Sequence, residues 1–192
     1  MSSFEFVFSL LVILLGLGLG QVLTGLASAV KRRPGLKIGW ATGLLATWVT
    51  TETVIFWEIA WRTRNDLPFN AASLFAGLAV TALYYFAGAL VFPDDLADRK
   101  TLDDYFMTEK AKVIGAILAA LTLAFLLRAL LLGSASWNFL SLWDWSALGM
   151  IYVFGAIALI TRRREVAVAC LVVLVALDLM EPVMALVAGG AA

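Results

Sequence analysis

Residues 6–30 read FVFSLLVILLGLGLGQVLTGLASAV and contain no charged side chain. A helix that crosses the hydrocarbon core of a bilayer needs about 20 mostly apolar residues. This run is long enough, and it lacks the positive start and the small-residue cleavage site of a secretory signal peptide. It therefore predicts a membrane helix that is retained near the start of the chain.

Five more apolar runs follow, and together they decide the fold class. The six predicted spans are 6–30, 38–61, 67–93, 113–132, 145–161 and 166–188. The second span carries Glu52 and Glu58, the fourth carries Arg128, and the sixth carries Asp178 and Glu181. We predict a single all-α membrane domain over residues 1–192, a polytopic bundle of six transmembrane helices.

The composition supports a bilayer as the main partner and excludes several kinds of site. Of the 192 residues, 62% are hydrophobic and 15% are charged, whereas a soluble domain has roughly 25% charged residues. The chain has no histidine and one cysteine, Cys170. Histidine-ligated metal or haem sites and intrachain disulfides are therefore excluded, and we predict no cofactor. The formal net charge of zero gives no basis for binding nucleic acid.

The basic residues indicate how the helices are oriented. Eleven of the 14 lie in alternate connections: Lys31, Arg32, Arg33 and Lys37; Arg99, Lys100, Lys110 and Lys112; and Arg162, Arg163 and Arg164. Lysine and arginine concentrate on the cytoplasmic side of membrane proteins. The pattern predicts cytoplasmic loops at 31–37, 93–112 and 162–165, with both termini on the non-cytoplasmic side of a cell inner (plasma) membrane.

Two connections are long enough to have structure of their own. Thr101 and Asp104 resemble a helix capping box, which predicts a short cytoplasmic helix within 93–111 that runs into the fourth span. The segment 134–145 is rich in tryptophan, including Trp137, Trp143 and Trp145. Tryptophan favours the membrane–water interface, so we expect a short interfacial helix or turn on the outer side.

Small residues occur every few positions along the first span, at Gly16, Gly18, Gly20 and Gly25. Small residues at such spacing let helix backbones approach closely in lipid. We interpret them as a helix-packing surface, although a flexible or pore-lining helix would need the same residues.

The charged residues inside the spans are the best candidates for function. A carboxylate near the bilayer centre costs roughly 2.5–3.5 kcal/mol on insertion scales, so it usually faces the bundle interior. Glu52, Glu58, Arg128, Asp178 and Glu181 fall in the middle or the outer half of their spans. One hypothesis is an acidic vestibule, open to the outside, with Glu52 or Asp178 as its deepest site. The other is a structural salt bridge between Arg128 and one of the acids.

A short acidic pattern in the third connection offers a weaker lead. Asp94, Asp95 and Asp98 have the spacing with which prenyl-diphosphate enzymes hold Mg²⁺, a metal that prefers oxygen ligands. Those enzymes need a second motif in a larger bundle, and one short pattern occurs readily by chance. An enzyme is therefore the least favoured of the functions considered.

Two functions remain open from the sequence. The first is a small channel or transporter for a cation, a proton or a small solute that uses the acids of the second and sixth spans. The second is a non-catalytic accessory or scaffold subunit, a homo-oligomer or part of a larger membrane complex, that binds lipid or a partner through aromatic outer surfaces. The first predicts a hydrated cavity around Glu52 or Asp178, and the second predicts none.

Overall fold

The computed structural model describes residues 3–31, 39–64, 70–93, 101–133 and 141–189. These residues form six helices: α1 Ser3–Lys31, α2 Trp40–Arg62, α3 Ala71–Ala89, α4 Asp103–Leu132, α5 Leu142–Ile160 and α6 Arg164–Gly189. Every helix except α2 is long and apolar enough to cross a membrane. The all-α prediction and the number of helices are confirmed for this part of the chain.

Helix α2 differs from the other five because it is rich in polar side chains. It contains Thr42, Thr47, Thr50, Thr51, Thr53, Glu52 and Glu58. The helix contacts α1, α3, α4 and α6, and Thr42, Glu52 and Thr53 are buried. Neighbouring helices therefore cover much of its polar surface. Lipid would offer these polar side chains no hydrogen-bond partners.

Contacts at both ends of α2 show that it runs the full height of the bundle. At one end, which we call the basic end, the Thr42 hydroxyl donates to the Leu102 carbonyl over 3.2 Å. At the opposite end, which we call the acidic end, Arg62 lies 3.4 Å from Glu181 of α6. The 23 residues of α2 span about 35 Å at 1.5 Å per residue, enough for a bilayer core.

The helix ends that flank the three basic connections meet at the basic end. Arg164, at the start of α6, pairs with Asp103, at the start of α4, with 2.6 Å between Nη2 and Oδ2. The buried Lys110 ammonium of α4 donates to the carbonyl oxygens of Ala158 and Leu159, at the end of α5, over 2.5 and 3.2 Å. The connections that contain the basic residues alternate along the chain, and the helix ends next to them lie at the same end of the bundle.

The glycines of α1 divide into two groups. Gly18 packs against the α3 backbone, where an added Cβ would lie 3.1 Å from the Tyr85 Cα atom, and Gly25 packs against Phe92. An added Cβ at Gly16 or Gly20 would meet nothing within 4 Å. Close packing of α1 on α3 therefore accounts for Gly18 and Gly25.

The two predicted short helices are not confirmed as separate elements. Residues 103–112 form the first turns of α4, which continues unbroken to Leu132, while residues 94–100 lie outside the described part of the chain. Trp143 and Trp145 belong to the first turns of α5, while 134–140 lie outside the described residues. Helix α5 begins at 142 because Ser141 and Asp144 form a capping box there.

Candidate functional site

Two carboxyl side chains from different helices meet in the middle of the bundle. The Thr51 hydroxyl of α2 donates to the Asp178 carboxylate of α6, with 2.6 Å between Oγ1 and Oδ2. Glu52, the next residue along α2, lies within electrostatic reach of Asp178. Glu52 and Asp178 are 2% and 6% exposed. The structure thus brings together two of the acids that the sequence singled out.

The heights of the two acids explain why they meet. Helices α2 and α6 both begin at the basic end and pack along each other. At 1.5 Å per residue, Glu52 lies about 18 Å along α2 and Asp178 about 21 Å along α6. Both acids therefore lie at nearly the same level, far from either end of the bundle.

Aromatic side chains with polar atoms surround Glu52. Trp48 and Tyr84 are fully buried, and the Tyr84 ring packs on Phe56 with 4.9 Å between centroids. The Trp48 indole lies beside the Glu52 carboxyl without the geometry of a hydrogen bond. Among the described residues, Glu52 Oε1, Trp48 Nε1 and Tyr84 Oη all lack a hydrogen-bond partner. Such atoms are rare in a packed interior, so this cluster has unused capacity to bind a polar group.

Hydroxyl groups extend this polar cluster toward α4 and α5. The Tyr84 hydroxyl lies within electrostatic reach of Glu52, Asp178 and Tyr152 of α5. The Tyr152 hydroxyl in turn shares a hydrogen bond of 2.8 Å with Thr122 of α4. The buried polar atoms of this cluster thus come from α2, α3 and α6, whereas the Thr122–Tyr152 pair of α4 and α5 lies nearer the surface.

A cleft of about 290 Å³ leads from the acidic end to Asp178. Its lining residues come from α2, the start of α5 and the last turns of α6: Val54, Ile55, Glu58, Ile59, Arg62, Asp144, Asp178, Glu181, Pro182 and Ala185. Four carboxylates thus face one guanidinium, so the cleft carries a net negative charge. Asp178 is the most deeply buried of these acids, since Glu58 and Glu181 are exposed and Asp144 is half-buried.

Arg62 holds two acids together at the mouth of the cleft. Its guanidinium lies 2.6 Å from the Glu58 carboxylate, one turn away on α2, and 3.4 Å from the Glu181 carboxylate of α6. All three side chains are half or more exposed, so water screens the pairs and each contributes at most about 1 kcal/mol to stability. The sequence identified both acids but did not identify Arg62 as the residue that joins them.

The other predicted site residues lie elsewhere. Arg128 is half-buried on α4, and its pairing with an acid of α2 or α6 stays a prediction. Asp94, Asp95 and Asp98 lie outside the described residues. Within the described residues, no group of three or more acidic or cysteine side chains is placed to hold a metal ion.

Four contributors to the site were missed by reasoning from the sequence: Trp48, Tyr84, Arg62 and Asp144. Trp48 and Tyr84 resemble the many aromatic residues of the spans, and only their burial beside Glu52 sets them apart. Arg62 had a readable signal, because it follows Glu58 by four residues, the spacing of an ion pair on one helix face. No sequence pattern pointed to Asp144, because its place in the cleft depends on where α5 begins.

Comparison of the chain with family models, with curated proteins and with solved structures gives no match. The class of protein therefore follows from the fold alone. The described residues form a membrane-like helical bundle, in which five helices are long and apolar and the sixth, the polar α2, packs mainly against four of them.

Proposed function

We propose that the chain is a small membrane transport protein in which Glu52 and Asp178 bind a proton or another cation that enters through the acidic cleft. One observation carries the proposal: two buried carboxyls lie within electrostatic reach of each other, and one of them forms the floor of a cleft that opens at the bundle's acidic end. Acids inside membrane segments usually mark substrate or ion pathways.

The energetics of the pair support a role in binding a cation. Removing an ionised carboxylate from water costs several kcal/mol, and a second negative charge nearby adds repulsion. The Thr51 hydroxyl contributes one neutral hydrogen bond, which offsets only a small part of that cost. A proton or a cation shared by Glu52 and Asp178 would remove the repulsion and supply the missing partner of Glu52 Oε1.

The contacts at the two ends favour a transporter over an open channel. At the basic end, Asp103 pairs with Arg164, and Lys110 caps the end of α5. These contacts tie α4 to α5 and α6 below the carboxyl pair. The cleft lies on the opposite side, between α2 and α6. We therefore propose that this conformation exposes the pair to the acidic end. We also propose that this end lies outside the cytoplasm, because lysine and arginine concentrate on the cytoplasmic side.

The cleft also bears on the scaffold hypothesis. A scaffold subunit needs no internal cavity, whereas a transporter needs a path from water to its binding site. The position of Asp178 at the floor of the cleft supports the transporter.

Flux measurements on purified protein in proteoliposomes test this proposal. A potassium diffusion potential would drive proton entry, followed with a pH-sensitive dye inside the vesicles, and sodium flux would be measured in parallel with a radioisotope. We expect Glu52→Gln and Asp178→Asn each to reduce the flux at least tenfold. Glu165→Gln removes an exposed acid at the basic end of α6 and should leave the flux unchanged.

Two results would contradict the proposal. One is that both interior variants conduct like the wild-type protein. The other is that the wild-type protein carries neither protons nor sodium, nor any organic cation, above the level of protein-free vesicles.

A further inference from the structure

We infer that the acidic cleft binds a small organic cation, an ammonium group on a short apolar body. This inference rests on the proposed transport function and names its substrate class. It follows from the free acceptors at the cleft floor and from the apolar surface of the cleft walls.

Most of the acids around the cleft already have partners. Arg62 bridges Glu58 and Glu181 at the mouth. The Asp144 carboxylate accepts hydrogen bonds from the Ser141 backbone N–H and hydroxyl, both at 2.7 Å. Asp178, at the floor, has no ion-pair partner among the described residues and receives one neutral hydrogen bond from Thr51. The charge available to a ligand therefore lies at the deepest point of the cleft.

The proline inside α6 leaves a second acceptor at that point. Pro182 lines the cleft and lies inside the helix, four residues after Asp178. Proline has no backbone N–H to donate to the carbonyl of the residue four positions earlier. The Asp178 carbonyl oxygen thus loses its usual helical partner beside the Asp178 carboxylate. A primary ammonium, with three N–H donors, matches two acceptors on one residue.

Glu52 provides an independent sign that a ligand belongs here. Its side chain is almost completely buried within electrostatic reach of Asp178, outside the cleft lining, and its Oε1 atom has no hydrogen-bond partner among the described residues. A positive charge on the Asp178 carboxylate would lie within electrostatic reach of Glu52 as well. The two acids together therefore attract a cation more strongly than Asp178 alone.

The walls of the cleft discriminate between kinds of cation. Above Asp178 they are formed by apolar side chains: Val54, Ile55, Ile59, Pro182 and Ala185. A metal ion needs several oxygen ligands to replace its water. The apolar walls beside Asp178 offer none, and the other three carboxylates of the lining already have partners. The volume of about 290 Å³ is at the lower limit of small-molecule pockets. A short alkyl chain would contact the walls while its ammonium group reaches the floor.

Calorimetric titration of the protein in nanodiscs of zwitterionic lipid tests this inference. The probes are n-butylammonium, n-butanol, which has the same apolar body without the charge, and sodium. We expect saturable binding of n-butylammonium only, after subtraction of the heat from empty nanodiscs. Asp178→Asn should weaken that binding roughly tenfold or more, because it removes the negative charge that strengthens the hydrogen bond from the ammonium group. Asp104→Asn, at the basic end, should not change it.

A pair of variants that fill space tests the location. Ala185→Phe places a large side chain in the cleft from an exposed position of α6, so it should block n-butylammonium without disturbing the core. Leu186→Phe alters the adjacent exposed residue, which does not line the cleft, and should bind like the wild-type protein.

The outcomes separate this inference from the proposed function. Saturable sodium binding without n-butylammonium binding would overturn the organic-cation assignment, and so would unchanged n-butylammonium binding by Asp178→Asn or Ala185→Phe. If no probe binds while Asp178→Asn still abolishes proton flux, the assignment is wrong and the transport function stands. If flux is also insensitive to Asp178→Asn, both proposals fail.

Discussion

The Thr51 hydroxyl donates to the Asp178 carboxylate over 2.6 Å, which links α2 to α6 at the level of the buried acids. Thr51→Val removes this hydrogen bond while keeping the shape of the side chain. We expect the free energy of unfolding to fall by about 1 kcal/mol, because hydrogen bonds between membrane helices have modest net values. Unfolding in mixed detergent micelles measures the change.

Thr50→Val is the matched control for this variant. The Thr50 hydroxyl donates only to the Ala46 carbonyl within α2, so its loss should leave the packing of α2 on α6 intact. An equal effect of both substitutions would show that the Thr51–Asp178 contact adds nothing to stability.

Close packing of α1 on α3 gives a second prediction, at Gly88. A Cβ atom added there would lie 2.6 Å from the Gly18 carbonyl oxygen, so Gly88→Ala forces the helices apart. Overpacking of this kind typically costs about 1–3 kcal/mol of unfolding free energy. Gly20→Ala meets open space and should be neutral or stabilise the helix by up to about 1 kcal/mol. Thermal unfolding of the two variants should therefore shift in different directions, and a stable Gly88→Ala protein would contradict this packing.

The buried Lys110 ammonium gives a third prediction. It is 3% exposed and donates to the Ala158 and Leu159 carbonyl oxygens at the end of α5. Lys110→Met leaves these oxygens without their donor, and we expect a loss of about 1.5–3 kcal/mol in unfolding free energy. Lys112→Met changes a lysine whose side chain is 64% exposed and should cost less than about 0.5 kcal/mol. Similar unfolding of the two variants would contradict a structural role for Lys110.

Most of the fold was readable from the sequence because a bilayer requires long apolar runs. The fourth and fifth membrane spans were predicted to begin at 113 and 145, whereas helices α4 and α5 begin at Asp103 and Leu142. Charged residues end a membrane span, but they need not end a helix. Residues 103–112 thus continue α4 beyond its apolar part. For the same reason Lys110, predicted in a loop, lies in a helix and is buried.

Only part of the site could be predicted, because a sequence indicates how far along a helix a residue lies more directly than which residues it contacts. The depths of Glu52 and Asp178 followed from residue counting. Their meeting depends on how α2 and α6 are rotated about their axes, which packing decides. The sequence placed Thr51 and Glu52 about 100° apart on α2, yet Thr51 bonds Asp178 and Glu52 lies within electrostatic reach of it. The sequence likewise does not indicate that Tyr84 is the tyrosine near Glu52; this follows only from how α3 packs on α2.

The orientation of the bundle in the membrane gives a fourth prediction. Arg163 lies exposed between α5 and α6 at the basic end. In a Cys170→Ser background, Arg163→Cys should react with a membrane-impermeant thiol reagent only after the cytoplasmic side is opened. Ser141→Cys, exposed at the start of α5, should react from outside intact cells. The reverse pattern would place the cleft on the cytoplasmic side.

Chemical modification of a cysteine near the floor of the acidic cleft shows whether a cation can reach Asp178 from the acidic end. Ile55 lines the cleft one turn beyond Thr51, so Ile55→Cys in the Cys170→Ser background reports on that depth while every acid stays in place. We expect charged methanethiosulfonate reagents added at the acidic end to modify this cysteine, and the cationic reagent to react faster than the anionic one. Val172→Cys, on an exposed apolar face of α6 outside the cleft, should stay unmodified. Failure of the cationic reagent to modify Ile55→Cys, or equal rates for both charges, would contradict an acidic path to Asp178.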